Sequence, residues 1–131
     1  MDRIRYLTVL DVEALHVFIM ERTGDPPSSL RDRGLLEAAV IRPQMAAHYE
    51  EADLIRQAAI LAAGISQAQA YIQGNKRTAF IAADVFLRAN GCTLEGDPLE
   101  MARLLEGIAA PSGNEAEAID RLTEWMREHA R

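Results

Sequence analysis

The run AAILAAGI at residues 58–65 does most to limit how this chain can fold. It lies inside a helical window from Asp53 to about Ala68, where Leu54, Ala58, Leu61 and Ile65 share one stripe. The middle of that window is apolar on every side, which places the helix at the centre of the molecule. Ala62, Ala63 and Gly64 carry little bulk, so a neighbouring helix can approach closely. The run is far too short to span a bilayer.

The remaining pattern is also helical. Thr8 and Asp11 form a capping pair that opens a helix through Val12, Leu15 and Phe18, which Gly24 and Pro26-Pro27 end. Asp32 is the N-cap of a short helix, RGLLEAAVI, with Pro43 as its stop, and 44–52 holds at most a further turn. A second core helix is predicted from about Asn75 to Asn90, stopped by Gly91. Asp97-Pro98-Leu99-Glu100 starts another, and Asn114 with Glu117 starts the last. The expectation is an all-α, compact bundle of about six helices around two buried ones, 54–65 and 79–87, in a single domain over 1–131. A short hairpin near Cys92-Thr93-Leu94 is the one β element left open.

Composition narrows the function classes. The net charge of -6 argues against a general nucleic-acid binder, although one local cationic pocket is compatible with it. The single cysteine, Cys92, excludes an intramolecular disulfide and a cysteine-based metal cluster within one chain. With an N-terminal stretch broken by Asp2, Asp11 and Glu13, this leads to the expectation of a cytoplasmic protein without export signal or membrane span.

Residues 71–80, YIQGNKRTAF, carry the chemistry. A helix starting near Asn75 exposes unpaired N–H groups and the positive end of its dipole, both of which attract anions. Gly74 permits a tight turn and close approach of a phosphate. Asn75 either caps the helix or donates its amide, Lys76 adds a point charge, and Arg77 adds a two-pronged fork. The alternative is a helix start with two solvated cations, at the end of the dipole where cations are normally avoided. The spacing is not that of a P-loop, and no strand precedes it.

GNKRTA, FLRANG at 86–91, YLTVLDVEALH at 6–16 and LRDRGLLEAAVIRPQ at 30–44 together resemble the Fic/Doc superfamily, in its death-on-curing branch. The resemblance covers most of the chain. The family motif reads His-x-Phe-x-Asp/Asn-Gly/Ala-Asn-Lys-Arg. It implies a toxin of a toxin–antitoxin pair, using ATP with Mg²⁺ to phosphorylate a protein hydroxyl, with a translation factor as substrate class. An antitoxin helix lying in a groove is the implied partner. Gly74, Asn75, Lys76 and Arg77 match the phosphate-cradling part, and Tyr71 stands for the motif Phe.

Two positions depart from the motif. Gln69 stands at the His that serves as general base, and Gln73 at the Asp/Asn that helps hold metal or phosphate. A Gln amide has no useful basicity near neutral pH. Gln73 still offers Mg²⁺ a neutral oxygen, weaker than a carboxylate. Other imidazoles are His16, expected to be a satisfied helix residue, His129 near the end, and His48, whose segment with Arg42 is a candidate flap or substrate-side element. Three readings follow: a death-on-curing kinase of reduced activity, a degenerate module that binds nucleotide or partner without turnover, and an AMP-transferring enzyme.

Overall fold

The computed structural model describes residues 3–109 and 114–131. The elements are helices α1 (Val9–Arg22), α2 (Arg33–Tyr49), α3 (Leu54–Ala68), α4 (Asn75–Ala89), α5 (Pro98–Ala109) and α6 (Glu115–His129). Side chains fix four of the starts. Thr8 and Asp11 bond each other's backbone reciprocally, Asp32 accepts from Leu35 N–H, Asp53 from Arg56 N–H, and Asn114 from Ala116 and Glu117 N–H. Each such cap stabilises its helix by about 1 kcal/mol.

The all-α bundle expected from the sequence is present. Every residue of α3 from Gln57 to Ser66 is buried, as its all-round apolar middle requires. It contacts α2, α4, α5 and α6, while α4 packs in turn against α1 and α5. On α4 the buried side is Thr78, Ala79, Ala82, Ala83, Phe86 and Leu87. Small residues set how near the helices come. A Cβ added to Gly64 would lie 3.5 Å from that of Ala39 on α2.

Two local expectations are corrected. Pro43 does not stop α2, which runs on to Tyr49. A proline inside a helix costs about 3 kcal/mol through the lost amide and the crowded carbonyl one turn back. Ala39, Pro43 and Ala46 are all buried, and packing this face in the bundle outweighs that cost. The helix ends instead at Glu50, where Glu51 takes a left-handed φ of 54° and Ala52 N–H reaches back to Ala46 O at 3.2 Å. The 92–94 segment forms no hairpin. Thr93 exchanges backbone hydrogen bonds of 2.9 and 2.8 Å with Arg131, so the chain's end pairs with it.

No helix among the described residues is long and apolar enough to cross a membrane.

Candidate functional site

Residues 69–74 turn the chain from α3 into α4, and a second loop, 23–32, fixes their path. Gln69 ends α3 in the left-handed region, with φ 48° and ψ 43°. Such a conformation is uncommon for a residue with a Cβ and is held by its surroundings. Here the Arg31 guanidinium donates to Gln69 O at 2.6 Å, and Arg31 and Asp32 N–H both donate to Ala70 O. Leu30 and Tyr71 form an antiparallel bridge, with Ile72 N–H donating to Ser29 O at 3.3 Å. Ser28 Oγ donates to Gln73 O at 2.8 Å.

Asn75 is not the cap. It is the first residue of α4, and its side chain closes the turn behind it: Nδ2 donates to Tyr71 O at 2.9 Å while Oδ1 accepts Tyr71 N–H at 3.1 Å. The cap position is Gly74, with φ 87° and no side chain to offer. A Cβ there would overlap Met20 Sδ and come within 3.0 Å of His16 Cε1, so only glycine fits. The first turn of α4 therefore has no side-chain acceptor, unlike the four capped helices.

That turn opens on a cavity of about 460 Å³ lined by Ser66, Gln69, Gly74, Asn75, Lys76, Arg77, Ala102 and Glu106. Lys76 is exposed and makes no ion pair among the described residues. One Arg77 nitrogen donates to Asp25 at 2.8 Å and to Thr23 Oγ1 at 2.6 Å, which orients the fork without consuming all of it. Ser66 is 2% exposed, and its hydroxyl has no hydrogen-bond partner, a costly state for a buried polar group. The lining thus offers the start of an uncapped helix and two cations, with the Ser66 hydroxyl buried behind its surface. Glu106, from α5, is the one acid.

Beneath the turn lies His16, 1% exposed. Its ring stacks on Tyr71, with centroids 3.7 Å apart and planes 7° from parallel. Nδ1 meets Thr78 Oγ1 at 2.8 Å, and Nε2 meets Ser28 Oγ at 3.1 Å and Ser28 N–H at 3.3 Å. Burial pushes its pKa below the ordinary imidazole value, and the Arg77 charge reinforces this. Burial, with the Glu13 charge, pushes the Tyr71 phenol up to about 12, and Arg33 opposes.

The remaining candidates lie elsewhere. Gln73 is exposed and does not line the cavity; its backbone alone is tied, to Ser28. Arg42 and His48 belong to α2, because the segment expected as a flap is the second half of that helix. Arg42 pairs with Glu115 of α6 at 2.7 Å, and His48 is exposed against Tyr49. Sequence reading missed Ser66, Glu106 and the two partners of His16, Ser28 and Thr78. Ser66 had a usable signal, since it sits one helical turn before Gln69.

Family comparison agrees with this architecture. The model of the Fic/DOC family matches residues 6–87, more than half of the chain, and the chain belongs to that family. "Toxin Doc" of Mycolicibacterium smegmatis is 44% identical over 70 residues, 52% of this chain and 54% of that protein. "Protein kinase doc" of Escherichia phage P1 is 34% identical over 106 residues, 80% of this chain and 82% of that one. The chain therefore aligns with about half the length of the first relative and four-fifths of the second.

Proposed function

We propose that this chain is the toxin of a toxin–antitoxin pair, one that holds ATP by its phosphates at the start of α4 and passes a phosphoryl group slowly to a protein hydroxyl. The observation that carries the reading is the convergence on one cavity of the uncapped first turn of α4, Lys76 and Arg77. Amides at a helix start and a guanidinium fork suit phosphate oxygens. The volume falls within the ~300–1,000 Å³ usual for small-molecule sites. The relatives' names, a toxin and a protein kinase, favour phosphoryl transfer.

Mg²⁺ bound with the phosphates would spread their charge. No cluster of His, Cys, Asp and Glu among the described residues forms a cage for it. That suits an ion carried mainly by phosphate oxygens, with Glu106 the carboxylate within the lining. Gln69 faces the same cavity and orients the attacking hydroxyl by hydrogen bonding, but it takes no proton. Losing the general base costs about 10²–10⁴ in rate. His16 does not replace it, because both ring nitrogens are engaged beneath the turn. The partner is a small antitoxin laying an amphipathic helix beside the cavity, and the substrate class is a translation factor.

The second reading is a module that binds nucleotide without turnover, favoured by the glutamine at the base position and the lack of an imidazole in the lining. Incubation with ATP labelled at the γ or the α phosphate, together with cell extract, separates them. Slow γ-label transfer that rises about a hundredfold in the double variant Gln69→His, Gln73→Asp supports the first reading. Silence in both proteins supports the second, and α-label transfer supports AMP transfer instead.

A further inference from the structure

The hydrogen bonds around His16 define its proton. A backbone N–H only donates, so the Ser28 amide at 3.3 Å makes Nε2 an acceptor, and the proton of the neutral ring sits on Nδ1. Nδ1–H then donates to Thr78 Oγ1 at 2.8 Å, and Thr78 Oγ1 passes its own proton to Gly74 O, also at 2.8 Å. On the other side Ser28 Oγ donates to Gln73 O and accepts Gln73 N–H at 3.3 Å. One imidazole from α1 therefore reaches Gly74 through the Thr78 hydroxyl and Gln73 through Ser28, whose amide it accepts and whose hydroxyl bonds Gln73. Its face supports Tyr71, and its edge limits what Gly74 can be.

We propose that His16 is a positioning residue: as a neutral ring it sets the course of the 73–74 backbone, and through it the mouth of the anion cavity, and a proton added to Nε2 ends its hold on the Ser28 amide. This rests on the cavity being the anion site. The added proton, from solvent, places an N–H against the Ser28 amide. The amide loses its acceptor, while Ser28 Oγ, with a second lone pair to offer, accepts from Nε2 and keeps Gln73 N–H, so the Ser28 strut passes from amide to hydroxyl. Facing His16 are the neutral Ser28, Thr78, Met20 and Tyr71 and, from α4, the charged Arg77; Glu13 of α1 and Arg33 of α2 act on the Tyr71 phenol. With the folded value below the ordinary 6.5, the unfolded chain binds the extra proton first. The contribution of His16 is complete above that value and is lost as pH falls below it.

The test uses nitrogen-15 NMR of the imidazole, amide exchange of Gln73 and Gly74, and titration with sulfate, which keeps its charge across the range. The expected signature is the Nδ1–H tautomer near neutral pH. As pH falls below the ordinary imidazole value, the protection of the wild-type Gln73 and Gly74 amides, corrected for the intrinsic slowing of exchange at lower pH, should drop several-fold in a step, and sulfate affinity should change with it. His16→Phe keeps the stack and removes both struts, and it should show fast exchange and weak binding with no pH step. His16→Asn restores a donor toward Thr78, and it should recover part of the affinity, again without a step. If His16→Phe fails to fold, Thr78→Val severs the Gly74 arm alone and should raise exchange at Gly74 more than at Gln73. An Nε2–H tautomer, or a pH step that persists in His16→Asn, overturns the proposal. Failure of sulfate to bind wild type, with the exchange pattern intact, would count against the anion reading and leave the positioning role standing.

Discussion

Replacing Gly74 by alanine isolates the geometry on which the site depends. The residue has φ 87°, and an added Cβ would overlap Met20 Sδ and lie 3.0 Å from His16 Cε1. The left-handed backbone alone costs a non-glycine residue about 1–2 kcal/mol. Met20 is fully buried, so its thioether has nowhere to retreat, and overpacking adds about 1–3 kcal/mol. The sum, about 2–5 kcal/mol, is a large part of the ~5–15 kcal/mol by which a domain is stable. Gly24 is the control, with φ 86° and nothing within 4 Å of the added carbon. Urea denaturation should give Gly24→Ala the backbone cost only, about 1–2 kcal/mol, and Gly74→Ala visibly more. In a Met20→Ala background the cost of Gly74→Ala should shrink toward the control, a coupling of about 1–3 kcal/mol. Equal losses for the two glycines, or no coupling with Met20, would refute the reasoning.

Three further outcomes are expected. Ser66→Ala should leave the protein as stable or more so in thermal melts, because it removes a buried hydroxyl without a partner. Tyr71→Phe should be neutral or stabilising near pH 7 for the same reason. In wild type the raised phenol value keeps its contribution whole below pH 10, and up to about 3 kcal/mol is lost as pH climbs from 10 toward 12; Tyr71→Phe should lack that limb in denaturation measured against pH. Glu106→Gln should tighten sulfate binding several-fold in calorimetry without Mg²⁺, since it removes the one negative charge among the described lining residues.

The parts of this molecule legible from sequence are those decided over a few residues. The caps at Thr8, Asp32 and Asn114 and the all-round apolar middle of α3 announce themselves locally, and the structure follows them. Pro43 misled because its cost is local while the compensating burial comes from the packed bundle. Asn75 was ambiguous because the rival for its amide, the Tyr71 backbone, comes into reach only once the turn has closed. The His16 device joins positions 16, 28 and 78, and no spacing rule connects them. Sequence assigned His16 to a satisfied helical position, which it occupies, without showing what satisfies it. His48 is a flap candidate only while 44–52 is ambiguous, and Arg42 only through the resembling block 30–44; helix α2 carries both elsewhere.

Calorimetric titration of ATP with Mg²⁺ into the wild-type protein and into the double variant Lys76→Ala, Arg77→Ala tests the central claim most directly. The account predicts saturable binding to wild type and a loss of at least about tenfold in the variant, since each charge-assisted hydrogen bond removed is worth about 1.5–3 kcal/mol. Equal affinity in the two proteins, with both folded, would contradict a phosphate site at the start of α4.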